Sequence, residues 1–131
     1  MTICELSQLY YLKREIEMDR RRLEELEAML LPKGTSIDGM PRMSRCERTA
    51  ERYIDEIEKL RKTIAEKQTL CIRERRRLER YIASVEDSLM RQILTRRFVD
   101  GCAWKRIATE VGGGNTPDSM RKACMRYLHK R

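Results

Sequence analysis

Two long stretches of the chain carry apolar side chains at alternating steps of three and four residues, the spacing of a helix that packs along one side. The first stretch has one polar interruption, Asp19, among the apolar residues Leu9, Leu12, Ile16, Leu23, Leu26 and Leu30. The second keeps the same steps through Cys46, Ala50, Tyr53, Ile57, Leu60, Ile64, Lys67, Cys71, Glu74, Leu78, Tyr81 and Val85. Such repeats are typical of coiled coils. The sequence therefore predicts an all-α fold with two long helices, about 4–31 and 45–85.

The segment between these stretches, 32–44, has the composition of a loop. Pro32 disfavours helix at Leu31 and cannot continue the hydrogen-bond ladder. Two prolines and two glycines fall within PKGTSIDGMPRMS. A loop of this kind suits an antiparallel return, so residues 1–85 are predicted to form a long antiparallel hairpin. Residue numbers that face each other should then sum to about 76, which places Leu9 near Lys67.

A hairpin of two helices buries only one narrow apolar stripe, and such a structure is marginally stable unless another surface covers it. Ile54 and Leu70 lie beside the stripe and widen it. We therefore expect a homodimer or a higher homo-oligomer held together by the hairpin. The alternative is that the hairpin folds back on the C-terminal part of the chain and the protein stays monomeric.

The positive charge of the chain is concentrated near its C-terminus. Charged residues make up 38% of the 131 residues, and the formal net charge is +8. From residue 91 to the end there are ten bases and three acids, a net of +7. Such a field attracts a polyanion, and double-stranded DNA is the expected partner.

The signals of membrane, secreted, metal-binding and catalytic proteins are missing from the sequence. No apolar run is long enough to span a bilayer, and no secretory signal is present. The five cysteines include no CxxC pair, which favours reduced thiols in a cytoplasm over disulfides or a metal site. His129 is the only histidine, and no nucleophile or phosphate-loop motif accompanies it. We expect no enzyme activity, no cofactor, no metal and no membrane partner.

Residues 86–131 carry the pattern of three short helices. Asp87 or Ser88 can cap a first helix with Ile93, Leu94 and Phe98 on its inner side, and Asp100-Gly101 is a typical helix end. Trp104 opens a second helix with Ile107, Ala108 and Val111 inside. Thr116 is a good N-cap and Pro117 a good first residue for the third helix, about 116–130. The inner side of this helix is expected to hold Met120, Ala123, Cys124, Tyr127 and Leu128.

The opposite face of the last helix is polar and basic. It carries Asp118, Ser119, Lys122, Met125, Arg126 and His129, with Arg121 on the flank. A capped helix set across a preceding one, with basic side chains outward, is the geometry of a helix-turn-helix domain that reads the major groove. The predicted DNA-binding residues are Ser119, Arg121, Lys122, Arg126, Asn115, Thr116 and Lys105.

The segment RRFVDGCAWKRIATEVG, 96–112, resembles the fourth region of bacterial sigma factors, whose helices follow the pattern R-Y/F-x-D-G-x-S/T-x-x-x-I-A-x-x-L-G. The whole chain resembles the small sigma-like and ArpU-like transcriptional regulators of phages and prophages, and GGGNTPDSMR resembles a turn variant within that group. The resemblance implies promoter binding in a bacterial host cytoplasm, with RNA polymerase as a further candidate partner. Ser119, Arg121, Lys122 and Arg126 match the family's DNA-contacting positions. The chain departs from the pattern at Ala103, where the family has a capping Ser or Thr, and in a turn about two residues longer.

Two other functions remain open on the same residues. A DNA-packaging adaptor of the small-terminase type also combines a helix-turn-helix with coiled-coil assembly, and a ring of about eight or more subunits would favour it over a dimeric regulator. A module that docks on RNA polymerase without reading DNA would bind polymerase but not the promoter alone.

Overall fold

The computed structural model describes residues 1–31 and 43–130, with side chains from residue 48 onward in the second range. Within these ranges every regular element is helical, which confirms the predicted all-α class. The helices are α1 (Ile3–Leu30), α2 (Met43–Ala83), α3 (Ser88–Leu94), α4 (Trp104–Val111) and α5 (Pro117–His129), and a π-helical turn (Thr95–Val99) continues α3. The predicted loop 32–44 lies outside the described residues, apart from Met43 and Ser44, which α2 includes.

The described chain divides into two compact units. The helix-pair unit comprises Arg14–Thr69, and the core unit comprises Met1–Lys13 with Leu70–Arg131. The core unit therefore contains the first residues of α1 and the last part of α2 as well as α3, α4 and α5. In neither described range is there a helix with both the length and the apolar character that crossing a bilayer requires.

Both predicted apolar stripes are confirmed as the covered sides of their helices. Every member of the two stripes whose side chain the structure describes is buried or half-buried, including the polar Asp19 and Lys67. In the helix-pair unit the buried members are Ile16, Leu26, Ile57 and Ile64. The three-and-four spacing in the sequence thus correctly identified which side of each long helix is shielded from water.

The two polar interruptions of the stripes pair with each other. Lys67 Nζ lies 2.6 Å from Asp19 Oδ2 and 3.7 Å from Glu15. Farther along the same unit, Arg61 meets Glu27 at 2.9 Å. The hydrogen bond to Asp19 is the main reason that the pKa of Lys67 is raised above its usual 10.5.

The predicted register, which placed Leu9 near Lys67, was wrong by about three helical turns. Lys67 instead faces Asp19, ten residues farther along α1. A carboxylate and an ammonium group that lose most of their water are costly unless they meet. We infer that the two polar residues favour the alignment in which each covers the charge of the other.

The core unit has one continuous apolar cluster. The ends of the long helices contribute Leu6, Leu9, Leu78 and Ile82, and Val85 follows shortly after α2. The C-terminal helices, the π turn and the segment before α4 contribute Met90, Ile93, Leu94, Phe98, Val99, Cys102, Ile107, Ala108, Met120 and Cys124. Leu6, Leu9, Leu78 and Leu94 have no exposed surface. Lys13 Nζ also donates a 3.0 Å hydrogen bond to the carbonyl of Val99, at the end of the π turn. The C-terminal helices consequently share their core with α1 and α2.

Local hydrogen bonds define where α3 begins and how the π turn ends. Asp87 caps α3, as predicted, by accepting a 2.9 Å bond from the amide of Leu89. In the π turn the amide of Asp100 donates to the carbonyl of Thr95, five residues earlier. Gly101 follows with φ of +71°, which L side chains rarely adopt, and this confirms Asp100-Gly101 as the helix end.

We predict that Asp19→Leu lowers the free energy of unfolding by about 1–2 kcal/mol, because Lys67 then loses its closest partner in a largely covered position. Adding Lys67→Leu should restore most of the loss, since two apolar side chains can pack where the ion pair was. Urea unfolding of the full chain measures both effects. Arg22→Ala is the control, because its pair with Glu25 is exposed and should contribute little. Equal stability of Asp19→Leu and the wild type would contradict the prediction.

Candidate nucleic-acid interface

The candidate interface comprises α4, the turn that follows it, and α5. α4 packs on α5, and α3 also contacts α5. Ile107 and Ala108 face inward from α4, and Met120 and Cys124 face inward from α5. These four buried side chains determine which sides of the two helices remain in solvent.

α4 begins without a side-chain cap. Ala103 occupies the N-cap position with an extended backbone and makes no capping hydrogen bond through its side chain, as the sequence predicted. The helix is held instead by its inner side, where Ile107 is fully buried. On the outer side Lys105 is exposed, and Arg106 pairs with Glu110 at 3.2 Å.

Three consecutive glycines make the turn between α4 and α5. Gly112, Gly113 and Gly114 have φ angles of +69°, +68° and +75°. A left-handed backbone at three successive positions is strained for any L side chain, so glycine is needed at each. The side-chain amide of Asn115 closes the turn by donating a 2.8 Å bond to the carbonyl of Gly112.

α5 begins with a reciprocal cap, which confirms the predicted roles of Thr116 and Pro117. The Thr116 hydroxyl accepts from the amide of Ser119 at 3.0 Å, and the Ser119 hydroxyl accepts from the amide of Thr116 at 2.9 Å. Pro117 is the first helical residue. Two of the amides left unpaired at a helix start are thereby satisfied, and the direction in which α5 leaves the turn is well determined.

The two faces of α5 differ sharply. Met120 and Cys124 are buried, and Ala123, Tyr127 and Leu128 are half-buried on the same side. Asp118, Arg121, Lys122, Arg126 and His129 are exposed. Burial raises the pKa of the Cys124 thiol to about 11, with Arg97 acting in the opposite direction, so this thiol is neutral and unreactive at pH 7.

One carboxylate holds two of the predicted DNA-binding cations. Asp118 lies 3.0 Å from Arg121 and 3.0 Å from Lys122. The hydrogen bond from Lys122, followed by the one from Arg121, lowers the pKa of Asp118 below its usual 3.8. Arg126 forms no ion pair within the part of the chain that the structure describes. The exposed face of α5 thus presents an ordered cluster of cations around one acid.

The predicted site residues fall into two groups in the structure. Asn115, Thr116 and Ser119 come together at the start of α5, where their polar atoms make the turn and the cap. Arg121, Lys122, Arg126 and Lys105 project from exposed surface. Contact of either group with DNA stays a prediction, and the exposed cations have the chemistry for contacting phosphates and base edges.

Two features of this region were not predicted from the sequence. Asp118 was assigned to the polar face without its partners, although its spacing of three and four residues from Arg121 and Lys122 is the usual signal of helical ion pairs. The guanidinium of Arg97 lies 4.8 Å from the centre of the Trp104 ring, and no sequence spacing indicates a contact across the turn at Gly101. Over the described ranges, no cluster of three or more His, Cys, Asp or Glu residues is arranged to hold a metal ion.

We predict that replacing both Arg121 and Lys122 with alanine raises the pKa of Asp118 toward 3.8, as measured by NMR titration of its carboxyl carbon. The lowered folded pKa means that the stabilisation from these bonds is present above pH 3.8 and is lost as the pH falls through the folded value. Arg106→Ala, which removes an exposed cation paired with Glu110, should leave the titration unchanged. An Asp118 pKa insensitive to the double substitution would show that the cations do not hold the carboxylate in solution.

Comparison with known proteins identified no relative of the chain. No protein-family model, no curated protein and no solved structure matches the chain. The local geometry of α4, the turn and α5, together with the charge that they carry, is what indicates a function.

Proposed function

We propose that the chain is a sequence-specific DNA-binding regulator of phage or prophage genes, acting in the cytoplasm of a bacterial host. In this proposal α4, the glycine turn and α5 form a helix-turn-helix, and α5 lies in the major groove. The observation that carries it is the division of α5 into a buried apolar face and an exposed cationic face, behind a tightly capped start. A recognition helix needs a buried face and a cap that fix its orientation, and it needs exposed polar or cationic side chains that can reach the bases.

Charge supports the same proposal. Residues 91–131 carry a net charge of +7, so this region attracts the phosphate backbone over a long range at low salt. Arg121 and Lys122 must release Asp118 or share it with DNA on binding, which opposes association. We infer that Asp118 lowers affinity for arbitrary DNA and also orients the two cations for base edges.

Salt dependence and alanine variants test the proposal directly. With roughly five to eight phosphate contacts, the slope of log affinity on log salt should be about −4 to −7 for duplex DNA. Lys122→Ala and Arg126→Ala should each weaken binding to a selected operator by about 1–3 kcal/mol if they read base edges. Both side chains are exposed, so the free energy of unfolding should change by less than about 0.5 kcal/mol.

Two further variants make the DNA experiment specific to α5. Lys62→Ala removes an exposed cation of α2 in the helix-pair unit and should leave operator binding unchanged. Asp118→Asn should act in the opposite direction and strengthen binding to arbitrary DNA. A slope near zero would indicate a protein partner such as RNA polymerase. Wild-type affinity in both alanine variants would remove α5 as the reading element.

We also propose that α1 and α2 form an antiparallel coiled-coil hairpin that joins two or more copies of the chain. Ion pairs within the helix-pair unit join rising residue numbers in α1 to falling numbers in α2. The outside of this unit remains partly apolar, because Met18, Met29 and Ile54 are between 48% and 68% exposed. Because a pair of helices buries only one narrow stripe, exposed apolar residues on both of its helices leave surface that a second copy of the chain could cover.

We predict that Ile54→Lys lowers the molar mass measured by light scattering to that of a monomer, because it places a charge in the proposed contact between copies. Glu66→Gln, exposed and about 120° around the same helix from Ile54, raises the net charge by the same single unit and is the charge-matched control. A wild-type ring of about eight or more subunits would favour the packaging adaptor. A wild-type monomer at all concentrations would rule out assembly through the hairpin.

A further inference from the structure

A cavity of about 160 Å³ opens in the core unit, beside α5 but apart from its exposed cations. Its walls come from the start of α1, the end of the π turn, α4 and α5. Four of the chain's seven aromatic residues line it, namely Tyr10, Tyr11, Phe98 and Trp104. In a chain with 5% aromatic residues, this concentration at one opening indicates a surface suited to a planar apolar group.

The tyrosines in the cavity wall contact each other and reach solvent. The rings of Tyr10 and Tyr11 meet edge to face, with centroids 5.5 Å apart and planes at 75°. Tyr11 is 60% exposed and Tyr10 is 40% exposed, although aromatic side chains of this size usually contribute to a core. A ring entering the cavity would pack against the exposed side chain of Tyr11 and gain dispersion contacts there.

The charged wall of the cavity is Arg97. Its guanidinium lies over the Trp104 ring and donates a 3.1 Å bond to the carbonyl of Cys102. No carboxylate pairs with it anywhere in residues 1–31 or 43–130, whereas the neighbouring Arg96 pairs with both Asp100 and Glu110. A guanidinium has five N–H donors, so Arg97 keeps donors for another acceptor.

We propose that this cavity binds a small carboxylate that carries one aromatic ring. The carboxylate would accept hydrogen bonds from Arg97, the side chain best suited to that group, while the ring packs against the tyrosines. A cationic ligand is disfavoured because Arg97 already covers the face of Trp104. The volume of the cavity is sufficient for a single aromatic ring, since an engineered protein cavity of about 150 Å³ holds one benzene molecule.

Such a ligand would contact both helices of the proposed DNA-binding element. Trp104 begins α4, and Met125 brings α5 to the cavity wall. Binding would therefore add contacts among α1, α4 and α5 that the unfolded chain lacks, and it should raise the melting temperature of the core unit. The proposal depends on the cavity alone and holds whether or not α5 reads DNA.

Titration of the full chain with phenylacetate tests the proposal. Trp104 is the only tryptophan, so its fluorescence reports directly on the cavity, and thermal unfolding gives an independent readout. Two controls separate the parts of the ligand: 2-phenylethanol keeps the ring without the charge, and acetate keeps the charge without the ring. Phenylacetate should bind about tenfold tighter than 2-phenylethanol, since a charged hydrogen bond contributes at least about 1.4 kcal/mol. It should also bind at least about tenfold tighter than acetate, which lacks the apolar surface of the ring.

Variants locate the binding. Arg97→Gln should weaken phenylacetate binding about tenfold and leave 2-phenylethanol binding unchanged. Tyr11→Ala, at an exposed position that tolerates substitution, should weaken both, whereas Met18→Ala, more exposed and in the helix-pair unit, should weaken neither. Equal affinity for the three probes, wild-type binding in Tyr11→Ala, or no response of fluorescence and melting temperature to phenylacetate would each overturn the proposal.

Discussion

The burial of Leu6, Leu9 and Leu78 against the C-terminal helices is the interaction on which the rest of the core unit depends. α4 has 8 residues and α5 has 13, lengths at which isolated helices are marginal in water. Their inner side chains are covered because the ends of α1 and α2 complete the same apolar cluster. A fragment that begins at residue 86 would lack these leucines, so the placement of the basic face of α5 depends on residues near the N-terminus of the chain.

In the helix-pair unit the alignment of α1 with α2 depends on a polar pair, Asp19 and Lys67. Apolar stripes alone tolerate sliding by whole turns, because one leucine replaces another at each step. Asp19 and Lys67 remove that freedom, since any shifted alignment would cover a charge without its partner. The polar pair contributes modestly to stability and strongly to the choice of register. The proposed assembly through this unit would present the same outer residues in every copy for that reason.

Much of the local structure could be predicted from the sequence, because it depends on patterns of nearby residues. The covered side of each long helix, the caps at Asp87 and Thr116, and the missing cap at Ala103 were all predicted correctly. The register of α1 against α2 was predicted wrongly. It depends on an ion pair between residues 48 positions apart, and the length and composition of the connecting loop do not indicate which residues pair. The Arg97–Trp104 contact was missed for a similar reason: the left-handed Gly101 folds the chain back between them, and spacing rules describe only continuous helices.

The π turn at Thr95–Val99 affects the direction in which α4 and α5 follow α3. A π turn holds one residue more than the α-helical turn it replaces. If the same residues closed as ordinary α-helix instead, the chain beyond them would rotate by about 100° about the helix axis. Gly101, α4 and α5 would then leave α3 in another direction, with their own sequences unchanged. The orientation of the cationic face therefore depends partly on the hydrogen-bond pattern of a five-residue segment that contributes none of the cations of that face.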